Sequence, residues 1–204
     1  MRNPIRKSIS FALLLSGILI FAGCKGNDTQ IEEPIPPGEP YKIVVSDIAP
    51  SFTDQIDEIR AISIGTNWQI SSSTFDKDGF TITLPGEPPI AHVHKIDKDY
   101  GPSDPNARWV WLTFMRGYKD GATTSYYLVC NFYTANGDGG MRYIYVDRDV
   151  TLHHIDQVAI WSNVKLKQGW NRVVEQPTYT GPKMYEIRPN QQGSWKLVRG
   201  GLLM

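Results

Sequence analysis

Tyr41 to Met204 is predicted to fold as an all-β domain, and three features carry that expectation. Short runs rich in Val, Ile, Thr, Tyr, Phe and Trp recur between clusters of Gly, Pro, Asn and Asp, the pattern of antiparallel strands and their turns. Three of the clusters, Asp78-Gly79, Asp120-Gly121 and Asn136-Gly137, are hairpin-type dipeptides whose glycine accepts positive φ without steric penalty. Only one stretch competes for helix: Phe52, Ile56 and Ile59 fall at i, i+4 and i+7 behind Pro50 and a Ser51 cap, which predicts one short peripheral helix.

In chain order the expected strands are Tyr41 to Ser46, Arg60 to Ile64, Gln69 to Phe75, Phe80 to Leu84, Ala91 to Ile96 and Arg108 to Arg116. They continue with Ser125 to Thr134, Met141 to Arg148, Val158 to Leu166, Asn171 to Glu175, Met184 to Arg188 and Trp195 to Val198. Asp78-Gly79 separates the third run from the fourth, Asp120-Gly121 the sixth from the seventh, and Asn136-Gly137 the seventh from the eighth. The sixth and seventh runs are long, apolar on both faces and joined by a Gly-rich turn, so they are expected to form a hairpin inside a sheet covered on both sides. So many strands with at most one helix leave two architectures. An antiparallel β-sandwich is the expected one, and a closed β-barrel of lipocalin type is the alternative, because periodicity does not separate them.

Ahead of this domain the chain reads as a processing segment and a tether. Arg2, Arg6 and Lys7 precede the apolar run Phe11 to Ala22, a signal peptide too short to span a bilayer, which takes roughly 20 apolar residues. Lys25 to Pro40, with prolines at 34, 36, 37 and 40, favours extended, solvated backbone. The expected organisation is therefore residues 1–23 as signal peptide, 24–40 as anchor residue and tether, and 41–204 as one domain. The whole chain balances 21 basic against 21 acidic residues, and loss of Arg2, Arg6 and Lys7 leaves a net charge of −3. With no basic stripe or run, nucleic acid is not an expected partner.

Phe21-Ala22-Gly23-Cys24 resembles the lipobox of signal peptidase II substrates, departing from it in having Phe21 where Leu is commoner. The resemblance implies cleavage before Cys24, acylation (palmitate among the chains) of that cysteine, and attachment to a membrane through the lipid. Lys25 at the next position implies, by the enterobacterial sorting rule, the outer membrane, with the periplasmic or surface face left open. The phrase Leu166-Lys167-Gln168-Gly169-Trp170-Asn171-Arg172-Val173-Val174 is similar to a strand-turn-strand phrase of uncharacterised all-β lipoproteins of Gram-negative anaerobes. That likeness implies a fold class and an address, not an activity.

Candidate sites are sparse. Cys130, left alone once Cys24 is acylated, lies in the apolar run Tyr126 to Tyr133 and reads as a small buried hydrophobe rather than a nucleophile. The four histidines fall in two groups, His92 with His94 and His153 with His154. On a strand His92 and His94 share a face about 7 Å apart. If one of the second pair lay alongside, with Asp97, Asp99 or Asp156 as oxygen ligand, zinc or copper would be the expected metal; otherwise these are polar positions on a wet face, and no cofactor is predicted. Asp76-Lys77-Asp78-Gly79 lacks the later ligands of a calcium loop and reads as a turn. No Walker motif, nucleophile elbow or His-Glu-x-x-His sequence occurs.

Six tryptophans are spread over the domain. Trp109 and Trp111 share one face of a central strand and are expected in the core, whereas Trp68, Trp170 and Trp195 stand at strand edges beside polar or Gly residues, where they either cap the core or form an aromatic platform for a sugar or other ligand. The reading that results is a non-catalytic binding or structural module of the cell envelope, engaging a glycan or a partner protein. The alternatives are a carrier of a small apolar ligand and a metal-dependent hydrolase.

Overall fold

A computed structural model describes residues 36–46, 48, 55–63, 66, 68–112, 114–119, 128–134, 139–176, 182–187 and 193–199. All of them fall in the second of the chain's two compact units, Ile31–Met204. The signal segment, Cys24 and the tether up to Ile35 lie outside the described residues, as do Phe52, Asp120-Gly121 and Asn136-Gly137.

The strands are β1 (Tyr41–Ser46), β2 (Glu58–Ser63), β3 (Trp68–Thr74), β4 (Gly79–Leu84), β5 (His94–Lys95), β6 (Arg108–Leu112) and β7 (Phe114–Tyr118). They continue as β8 (Leu128–Thr134), β9 (Gly140–Val146), β10 (Val150–Ile155), β11 (Ala159–Leu166), β12 (Gly169–Gln176), β13 (Lys183–Glu186) and β14 (Gly193–Arg199). Among the described residues the only helical pieces are the single 3₁₀ turns Ile90–His92 and Lys98–Tyr100, so the domain is all-β, as its sequence predicts. Strands β1 and β4 form a two-stranded ribbon; the others form one curled sheet in the order β10-β11-β13-β12-β9-β8-β7-β2-β3, with β14 on β8 and β5–β6 on β9. Pairing is antiparallel except between β11 and β13. Among the described residues no pairing joins the two ends of the curl, so the sheet is half a barrel with a ribbon packed on it.

Alternation explains the ribbon. Tyr41, Ile43 and Val45 of β1 and Phe80, Ile82 and Leu84 of β4 all point inward, while Lys42, Val44, Thr81 and Thr83 face water. These inward residues meet Ile59 and Ala61 of β2, Met115 of β7, Met141, Tyr143 and Tyr145 of β9, and Trp170 and Val174 of β12 in a first core. The other faces of β9 and β12 supply Ile144, Val146 and Val173 to a second core, closed by Val150 and Leu152 of β10 and by Trp161, Val164 and Leu166 of β11. Strands β9 and β12 are therefore the ones covered on both sides, which is why nearly every residue in them is buried.

Four expectations need correction. Arg108 to Arg116 is two strands: the β8–β9 hairpin splays beyond its single pair Tyr133↔Gly140, and the chain fills the fork, β6 pairing with β9 and β7 with β8. Ala91 to Ile96 begins as a 3₁₀ turn rather than a strand, because Pro89 cannot donate to a ladder and its carbonyl instead accepts from His92 N–H. Ile59, expected on a helix, is in β2, where its alternation with Ala61 buries both completely. Strand β10, absent from the expected set, pairs with β11 through a bulge between Leu152 and His154.

The turn at Asp78-Gly79 forms, with Gly79 at φ +145° and Asp76 accepting from Asp78 and Gly79 N–H. It leads from the sheet to the ribbon rather than between paired strands, since β3 pairs with β2 and β4 with β1. At the far end of the sheet the edge strand β10 is covered: Ser103 N–H donates to Thr151 O and Thr151 N–H to Ser103 Oγ, both at 2.9 Å. Gly101, at φ +53°, makes that approach possible, because a Cβ there would stand 2.4 Å from His153 O. Among the described residues no helix is long and apolar enough to cross a membrane.

Candidate functional site

Trp170 and Trp195, for which the sequence left core cap and ligand platform open, are buried in the first core; Trp170 donates its Nε1–H to Pro85 O at 2.7 Å and sits edge-on to Tyr145. The ribbon and the turn after β4 cover that face of the sheet, and no property of the local sequence announces the cover. Trp68 remains half-buried at the start of β3, with its ring stacked at 4.6 Å and 4° on that of His92. Trp109 and Trp111, predicted as core, are half-buried at the rim of the second core.

That rim is built from one face of the sheet. Register places Trp109 opposite Val146 and Trp111 opposite Ile144, so both rings share the second-core face with Asn171, Val173 and Glu175 of β12. Trp161 of β11 is fully buried in the second core. Around it the rings run in a continuous row. Tyr100 lies 4.8 Å from Trp109, Trp109 5.1 Å from Trp111, and Trp111 6.2 Å from Tyr185, mostly edge-to-face, while Tyr185 stacks flat on Trp161 at 4.2 Å. Such contacts fix the orientation of each ring beyond what area burial alone would do.

Each end of the row carries charge of a different sign. At the Tyr185 end the buried Glu175 carboxylate accepts from Arg142 Nε at 2.8 Å, from Lys183 Nζ at 2.9 Å and from the Tyr185 hydroxyl at 3.4 Å. Burial is the largest influence on Glu175 and would raise its pKa, but Arg142 and Lys183 together outweigh it, and the carboxyl is held below the usual glutamate value. Burial, followed by the Glu175 charge, pushes the Tyr185 phenol far above the tyrosine range, so it remains a donor. At the Tyr100 end, His154 uses both ring nitrogens: Nδ1 faces Asp99 O and Nε2 lies 2.9 Å from Asp156 Oδ2. The Asp99 carbonyl first, then Asp156, raise its pKa by favouring the imidazolium, the only form that donates from both nitrogens. Asp156 is in turn lowered by the Ala159 and Val158 N–H groups that cap the β10–β11 turn.

The histidines do not converge. His92 stacks on Trp68, His94 is exposed on β5 opposite Trp109, His153 is exposed at the β10 bulge, and His154 is committed to Asp99 and Asp156. Among the described residues no three His, Cys, Asp or Glu groups come together to hold a metal. Cys130 lies on β8, and its side chain is outside the described set.

What the arrangement can do is bind. Partly buried tryptophan rings next to a pre-ordered Arg-carboxylate-Lys cluster offer an apolar edge and directional polar groups at one place. Sequence reasoning found both rim tryptophans but assigned them inward, and it missed Glu175, Arg142, Lys183 and Tyr185, which come from three strands and share no local motif. Compared with protein-family models, curated proteins and solved structures, the chain matches none.

Proposed function

We propose that this protein is a lipid-anchored, non-catalytic binding module of the bacterial cell envelope, held at the outer membrane through Cys24, and that it engages a glycan on the Trp109–Trp111 rim. The observation that carries the binding reading is the partly buried aromatic row beside the Arg142–Glu175–Lys183 cluster. Pyranose rings present an apolar C–H face that stacks on an indole and hydroxyl groups that pair with charged, planar side chains. Trp161, fully buried in the second core, backs the row from behind through its contacts with Trp111 and Tyr185. The address rests on the basic n-region, the apolar run and the Phe21-Ala22-Gly23-Cys24 sequence.

Two measurements test the two halves. Labelled palmitate should enter the protein in cells and be lost in Cys24→Ser; incorporation into both, or neither, contradicts the anchor. On an array of envelope and host glycans the mature protein should bind a subset, with affinity falling about tenfold or more in Trp109→Ala and Trp111→Ala and little in Trp68→Ala. Equal binding by all three variants contradicts the rim as the site.

A further inference from the structure

The rim cluster carries an excess cation. Arg142 and Lys183 share the single carboxylate of Glu175, so the three groups sum to one positive charge, although the chain without residues 1–23 is net negative. Arg142 gives only its Nε to Glu175, and among the described residues its two terminal nitrogens have no partner. Lys183 is half-exposed and turns one of its three ammonium donors to Glu175. Both cations are tied to a buried carboxylate and so are held in place before any ligand arrives, which lowers the entropy cost of using them. Arg142 is two residues from Ile144, the register partner of Trp111, and therefore stands diagonally beside that ring on the same face. The opposite end of the aromatic row is acidic, with Asp156 beside His154 and Asp97 and Asp99 on the neighbouring turn.

From this arrangement we infer that the rim selects an acidic saccharide, a uronate whose ring lies on Trp111 and whose carboxylate meets Arg142 and Lys183. The inference rests on the glycan reading above and adds direction to it: the carboxylate-bearing residue of the glycan sits at the Tyr185 end, and the Asp156 end repels it. A guanidinium offers a carboxylate a planar pair of donors that an ammonium cannot copy, so Arg142 sets the preference and Lys183 supports it.

The test uses the mature full chain with a uronate oligosaccharide and the same oligosaccharide after its carboxyls are reduced to neutral alcohols, titrated at physiological salt. The uronate should bind about tenfold tighter than its neutral counterpart, a preference erased in Arg142→Gln, reduced in Lys183→Gln and only partly kept in Arg142→Lys. Trp111→Ala should weaken both ligands. Since Arg142→Gln strips a partner from a buried carboxylate, near-ultraviolet circular dichroism checks its fold; if it is disordered, the more exposed Lys183→Gln decides alone. Equal affinity for the two oligosaccharides, or a preference unchanged by every folded variant, overturns the acid selection and leaves the glycan reading standing. Failure of both oligosaccharides to bind overturns this inference, and failure across a wider neutral panel overturns the glycan reading as well.

Discussion

Strands β9 and β12 have two faces, and the chain treats them oppositely. On one, Met141, Tyr143, Tyr145, Trp170 and Val174 are buried under the β1–β4 ribbon, whose inward side chains are all apolar or aromatic. On the other, Ile144, Val146 and Val173 are fully buried beside β10 and β11, and the face continues past them into partly exposed aromatic rings and a charged cluster. A ribbon that contributes nothing but alternating Tyr, Ile, Val, Phe and Leu inward has one use, which is cover. A face finished with tryptophan, tyrosine, arginine and lysine keeps groups that can still make contacts, and it is the face on which we propose the ligand site.

The largest effect expected from breaking this comparison is at Trp161, the ring around which the second face is assembled. Trp161→Ala should cost about 3–5 kcal/mol of unfolding free energy, as for other buried Trp truncations, and should disturb the near-ultraviolet signal of the whole row. Trp111→Ala, at the rim, should cost far less in the same denaturation experiment. Equal losses would mean that the rim is as closed as the core.

A smaller effect belongs to Glu175. Its lowered pKa means that its ionised form stabilises the fold above the ordinary glutamate value of 4.5, and that this contribution is lost as pH falls through the lower native value. Glu175→Gln should therefore destabilise the protein at neutral pH, by about 1–3 kcal/mol given that its cationic partners are partly solvated, and the difference from wild type should shrink in acid. A constant difference across that range, followed by urea midpoints, would contradict the assignment.

The smallest effect is at His154, which has the opposite sign. Because its native pKa is raised above 6.5, its contribution is complete below that value and disappears as pH rises through the native one. His154→Gln should be less stable than wild type in mild acid and nearly equal to it in alkali.

Much of the fold was legible where one face decides the matter. Tyr41 to Ser46 was predicted with its observed bounds because strict alternation of inward and outward residues is a local signal. Strand β10 was not, because two adjacent histidines at a bulge break the alternation after Leu152. The site was less legible than the fold. Whether a tryptophan is covered depends on what lies across the sheet: the ribbon closes over Trp170, which is 85 residues from its Pro85 partner, and nothing in Gly169-Trp170-Asn171 records that. The Arg142–Glu175 pair spans 33 residues and is made by the β9–β12 register, which a single sequence does not display.

Which tryptophans water can reach decides whether the rim is open to a ligand. Hydroxyl-radical footprinting of the mature protein, read residue by residue by mass spectrometry, measures that directly. Their burial implies oxidation at Trp68, Trp109 and Trp111 and protection at Trp161, Trp170 and Trp195; under the proposed function a glycan should shield Trp109 and Trp111 but not Trp68. Faster oxidation at Trp170 or Trp195 than at Trp109 and Trp111 would contradict it, and would return the ligand site to the face that the ribbon covers.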